Sequence, residues 1–240
     1  MAWPATFVKG AEAAGATPYI ELEPWQGSTS NGTSFSDIDS GKYDSWLQSF
    51  GTQVKNLNKP VIFTFAHEFN VSGQYPWAEG TPGSCGSSAC TPAQWITAWD
   101  HVEAQIDKTA GGHAYFMWAP NADTGGSTES PVAYWPGANE VQMVGVDGYP
   151  DTQWGSQFGT FSGEFGPVFK EIRTKTNLPI FISETDLQPL GSSGYESIPN
   201  FIKDLFAAGG TGVLEWEDGS PKMSAAQWSQ LNAALAAYPN

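Results

Sequence analysis

The sequence predicts an α/β fold built on parallel strands, an α/β barrel in preference to a doubly wound sheet. Three observations predict it. Short apolar runs of strand length recur along the 240 residues, most of them followed by a helical pattern. Polar and charged residues gather where those runs end. No glycine-rich phosphate loop follows the first strand, which weighs against a nucleotide-binding sheet. With right-handed crossovers, such alternation covers a parallel sheet with helices.

The elements follow in order. PATFVKGAEAAG (4–15) has helical spacing and stops at Gly15, and TPYIELEP (17–24) alternates as a strand and ends at Pro24. A loop rich in Ser, Thr, Gly and Asp leads to a helix over 43–57. VIFTFA then forms the middle of a buried strand over 59–68, and a long loop spans 69–91. Residues 91–111 read as a helix, with Thr91 as N-cap and Pro92 at the first helical position. Trp95 and Trp99 lie four apart on that helix and are expected to pack inward. Strands follow over 113–120 and 141–150, then a helix over 165–176, a strand over 178–185 and a helix over 197–209. A strand over 211–218 and a helix over 224–238 close the chain. No repeat or linker interrupts this order, so residues 1–240 read as one domain.

Composition narrows the function. Acidic residues outnumber basic ones by 25 to 10, for a formal charge of −15. Such a chain repels phosphate backbones and anionic membranes, which argues against nucleic-acid binding. No apolar run reaches the roughly 18 residues of a membrane span. Plentiful Gly, Ser, Thr and Asn suit a protein that works outside the cell on a neutral substrate, although no signal peptide is visible in the chain. The only cysteines, Cys85 and Cys90, sit in the Ser/Gly-rich stretch GSCGSSACTP. Their spacing predicts a disulfide, in keeping with an oxidising compartment. No metal site is expected there, since no His or second Cys pair lies nearby.

The strand ends carry the chemistry, as the C-terminal ends of barrel strands do. In order they offer Glu21 or Glu23, His67 and Glu68, Trp118 and Asn121, Asp147 and Tyr149, Glu184, and Glu215 with Trp216. Several carboxylates interleaved with aromatic rings, with no call for a metal or cofactor, suggest glycoside hydrolysis. One carboxyl protonates the leaving oxygen while another attacks the anomeric carbon or activates water. Aromatic faces stack on pyranose rings. Asp147 and Tyr149 share a face if the strand stays regular, and Glu215 should then face away from Trp216.

PVIFTFAHEFN…YPWAEG, YFMWAPNADTGG, YWPGANEVQMVGVDGYP and PIFISET together resemble glycoside hydrolase family 26. The resemblance runs from about residue 4 to the C-terminus, with the motifs in the family's order. It implies a TIM-type (β/α)8 barrel, here with six strands evident and the first two lacking a counterpart. It implies a retaining mechanism with Glu68 as acid/base and Glu184 as nucleophile, facing each other at roughly 5–5.5 Å. His67 would shape the glycone-side subsite, Tyr149 would hydrogen-bond the nucleophile, and Trp216 would form the floor under the sugar. Trp77 resembles the family's aromatic after the acid/base loop. Trp118, Asn121 and Asp147 complete the expected substrate-binding set. The expected activity is that of a secreted, monomeric endo-β-1,4-mannanase acting on plant polysaccharide, with no cofactor. A β-1,3-xylanase or mixed-linkage β-glucanase of the same family, or a carbohydrate-binding protein without catalysis, are the alternatives.

Overall fold

The computed structural model describes residues 2–25, 31–122, 130–216 and 222–238, and the chain divides into two compact units. The first comprises residues 1–118 with 133–142, the second 119–132 with 143–240.

In the first unit, helix α1 (Ala5–Ala13) ends before Gly15, whose φ of +72° makes the left-handed stop that an L side chain resists. Strand β1 (Tyr19–Leu22) follows, then a short helix α2 (Phe35–Asp39) capped by the Ser34 side chain. Helix α3 (Asp44–Leu57) leads to strand β2 (Val61–Phe65). The expected loop over 69–91 contains a small antiparallel hairpin, β3 (Pro82–Gly83) and β4 (Gly86–Ala89), closed by the Cys85–Cys90 disulfide. Helix α4 (Pro92–Ala110) starts as expected, with Thr91 and Gln94 forming a reciprocal capping box. Strand β5 (Ala114–Trp118) completes the unit's sheet. β1, β2 and β5 pair in parallel in that order, with Tyr19 opposite Ile62 and Val61 opposite Ala114.

Several features hold α3 against α4, among them a hydrogen bond from the Thr109 hydroxyl to the Gln48 carbonyl at 2.7 Å. A Cβ at Gly51 would meet the Ile106 carbonyl oxygen at 2.1 Å, so the backbones approach as only glycine allows. His101 Nε2 also lies 2.7 Å from Asp44 Oδ1. Trp95 and Trp99 are buried and stack at 5.2 Å, as their spacing predicted. Under the helices, Phe63 stacks on Phe116 at 5.8 Å.

In the second unit, strand β6 (Met143–Asp147) is followed by a helical turn α5 (Phe161–Glu164) and helix α6 (Gly166–Ile172). Strand β7 (Ile180–Thr185), helix α7 (Ile198–Ala207), strand β8 (Gly210–Glu215) and helix α8 (Ala225–Leu235) complete it. β6, β7 and β8 pair in parallel in that order. Phe161, Phe165 and Phe201 form the aromatic centre beneath α5 and α7, at centroid distances of 5.6–5.8 Å. Three differences from the expected elements stand out. α2 interrupts the loop after β1, β2 ends at Phe65 and not Glu68, and β6 ends at Asp147, short of Tyr149. Positions 217–218 of the last expected strand, and 123–126 of the motif after Asn121, lie outside the described residues.

Candidate active site

The end of β2 departs from a strand for a definable reason. Ala66 and Glu68 have φ of +50° and +49°, a region that non-glycine residues seldom enter, and they bracket His67. Each such residue costs about 1–3 kcal/mol and persists only where its surroundings enforce it. Here two indoles hold the turn from behind. Trp95 Nε1 donates to the Ala66 carbonyl at 3.2 Å, and Trp77 Nε1 donates to the His67 carbonyl at 2.7 Å. The turn buries His67 and Glu68, each only 3% exposed. His67 lies against Tyr75 and Trp77, which stack on each other at 4.6 Å, and the edge of Trp25 packs on both. Burial pushes the imidazole from 6.5 down to about 4, because a charged ring would lose its hydration there. Its Nδ1 has no hydrogen-bond partner among the described residues. Glu68 Oε2 accepts a hydrogen bond from the Gln74 side-chain amide at 2.8 Å.

In the second unit the ends of β6, β7 and β8 converge. The register slips by one residue where Val146 faces Ile182 but Asp147 faces Glu184, leaving Ser183 as a bulge. Bulges re-aim neighbouring side chains. Ser183 Oγ donates to Asp147 Oδ1 at 2.6 Å, and the Tyr149 hydroxyl donates to Glu184 Oε1. A donor to a carboxylate favours its ionised form. Glu215 turns toward the loop after β7, accepting from the Leu187 backbone N–H at 2.9 Å. Trp216 N–H donates to the Thr185 carbonyl at 2.8 Å, and its side chain is 41% exposed. Asn121 forms an isolated parallel bridge with Asp147.

The residues expected from the sequence fall into these two groups. His67, Glu68 and Trp77 meet at the end of β2, while Asp147, Tyr149, Glu184, Asn121 and Trp216 belong to the second unit. Three expectations of substrate contact need correction. Asp147 is 0% exposed, and Trp77 and Trp118 are 0% exposed as well, so neither indole offers a ring face to a ligand. Their polar edges explain the burial: Trp77 braces the His67 carbonyl, and Trp118 Nε1 donates to the Tyr134 carbonyl at 3.1 Å. The sequence reading missed Gln74, Ser183 and Lys222, the last of which lies over the Trp216 ring. No local pattern marks any of the three.

Comparison with known proteins bears on the fold. The chain matches no family model. It is 26% identical to endoglucanase H of Acetivibrio thermocellus over 218 residues, which cover 87% of this chain and 23% of that protein. A Bacillus subtilis mannanase structure superposes with a TM-score of 0.63 at 17% identity, over 91% of this chain and 65% of the mannanase. A modular endo-β-1,4-mannanase from Cellulomonas fimi, of glycoside hydrolase family 26, gives 0.62 at 16% identity, over 97% of this chain and 56% of that one. These likenesses show the fold: α/β, of the TIM-barrel type, with six parallel strands among the described residues.

Proposed function

We propose that this chain is a retaining endo-β-glycosidase of glycoside hydrolase family 26 acting on β-1,4-mannan. The observation that carries the reading is Glu184, set beside the bulged end of β7 with the Tyr149 hydroxyl donating to it. A nucleophilic carboxylate must be ionised, and that donor favours ionisation. Glu184 attacks the anomeric carbon. Glu68 gives its proton to the departing glycosidic oxygen, then takes one from the water that releases the sugar. Gln74 orients the Glu68 carboxyl, and Trp216 offers an indole face on which a pyranose stacks. Trp77 and Trp118 support the strand ends from within. A neutral polysaccharide suits the acidic chain, and the enzyme is read as a secreted monomer without a cofactor. Among the described residues, no helix is long and apolar enough to cross a membrane.

A second reading, a β-glucanase, draws on the likeness to endoglucanase H. Reducing-sugar release from mannan, lichenan, laminarin and β-1,3-xylan, assayed side by side, separates the two. Mannan as the best substrate supports the proposal, and lichenan as the best supports the second reading. Release from none of the four would refute both.

A further inference from the structure

Trp216 is one of four large hydrophobic residues exposed among those described, and it alone carries a cation on its ring. Lys222 follows it by six residues in the sequence, yet its Nζ lies 4.2 Å from the indole centroid. That is well inside the roughly 6 Å over which a ring face attracts an ammonium. The same Nζ lies 3.7 Å from Asp186 Oδ2, with both side chains largely withdrawn from solvent. Asp186 is itself fixed, since its Oδ1 accepts from the Gln188 N–H at 2.8 Å. Asp186 follows Glu184 by two residues, and Trp216 N–H bonds to the Thr185 carbonyl between them. The indole is therefore tied to the end of β7 at both its backbone and its ring.

We propose that Lys222 is a positioning residue for sugar binding. Held by Asp186, its ammonium caps one face of the Trp216 indole and fixes the ring, so that the opposite face receives the sugar. An indole has two faces of equal stacking value, and the ammonium removes one of them. A ring without this clamp samples several side-chain rotamers, and each encounter with substrate must then select the stacking one. The role rests on the glycosidase reading of the same site and adds to it the choice of face.

The test compares Lys222→Met, which keeps the stem and removes the charge, with Lys222→Arg, which keeps a cation able to stack on the ring. In the Met variant KM for mannan should rise about two- to five-fold, the worth of a cation–π contact, with kcat changed less than about two-fold. The Arg variant should return KM toward the wild-type value. In the wild type, the ε-methylene protons of Lys222 should show an upfield ring-current shift by NMR that disappears in Trp216→Leu. An absent shift, or an unchanged KM in Lys222→Met on an active enzyme, overturns this inference alone. A wild-type chain that neither cleaves nor binds any of the four glycans overturns it together with the proposed function.

Discussion

Replacing His67 by Gln should change how stability depends on pH, and the size of the change follows from burial. The imidazole sits 3% exposed, with its pKa lowered from 6.5 to about 4 by desolvation. Between those values the unfolded chain binds a proton that the folded chain refuses. Stability therefore falls as pH drops through this window, is unaffected by His67 above it, and has lost the full increment below it. A shift of this size corresponds to about 3 kcal/mol in full, of which about 2.5 kcal/mol is lost by pH ~4.5. The total curve does not isolate the effect, because carboxyls raised by burial, Asp39 and Glu196 among them, act in the opposite sense, Glu103 and Asp100 the most. Glu103 is raised to about 7 and Asp100 to about 6, first by burial and then by the neighbouring Glu140 charge. Acidification from neutrality protonates those groups preferentially in the folded state and stabilises it. The His67→Gln variant keeps all of these carboxyls, so the difference between variant and wild type cancels them. Urea denaturation at intervals from about pH 8 to about pH 4.5 measures that difference. Wild type should lose about 2.5 kcal/mol more than the variant across the range. Curves that stay parallel within about 0.5 kcal/mol would refute the reasoning, because the His67 ring would then titrate alike in both states.

Three further outcomes follow from the geometry. The Cys85–Cys90 bridge closes a loop of sequence separation 5, so changing both residues to Ser should cost about 2 kcal/mol in urea denaturation by the chain-entropy relation. Trp77→Phe removes the donor to the buried His67 carbonyl and should cost about 1–3 kcal/mol; an unchanged denaturation midpoint would show that the indole does not brace the turn. Tyr149→Phe removes the donor to Glu184, so turnover of mannan should fall about ten-fold or more, and the acid limb of the pH–rate profile should move to higher pH. An unmoved acid limb would separate Tyr149 from the nucleophile's ionisation.

Much of the fold was legible because local chemistry specifies it. Thr91, Pro92 and Gln94 carry a helix start in four residues, and the apolar run before His67 carries a buried strand. What escaped depends on contacts distant in sequence or on elements too short to have a period. α2 has only five residues; its signal was Ser34 ahead of Asp37, whose N–H the serine side chain accepts. The hairpin over 82–89 is Gly- and Ser-rich and shows no alternation. At the candidate site, Glu68 and Glu184 stood out among several acids at expected strand ends only through the resemblance to family 26, and β2 in fact stops three residues short of Glu68. The turn that buries Glu68 uses positive φ at Ala66 and Glu68, where no glycine announces it. The bulge at Ser183 follows from pairing with β6, which a single strand does not reveal. Trp77, Trp118 and Trp216 read alike in sequence. Trp77 and Trp118 are buried with the carbonyls of His67 and Tyr134 accepting from their N–H groups, contacts distant in sequence.

The central claim is the division of labour between Glu68 and Glu184. It is tested most directly by assaying Glu68→Ala and Glu184→Ala on mannan and on an aryl β-mannoside whose leaving group departs without protonation. The account predicts that Glu184→Ala is inactive on both substrates. Glu68→Ala should lose mannan hydrolysis yet still release the aryl group in the first step, because only acid assistance is missing. Full activity of both variants on mannan would contradict the account, and aryl release by Glu184→Ala but not by Glu68→Ala would show the two roles reversed.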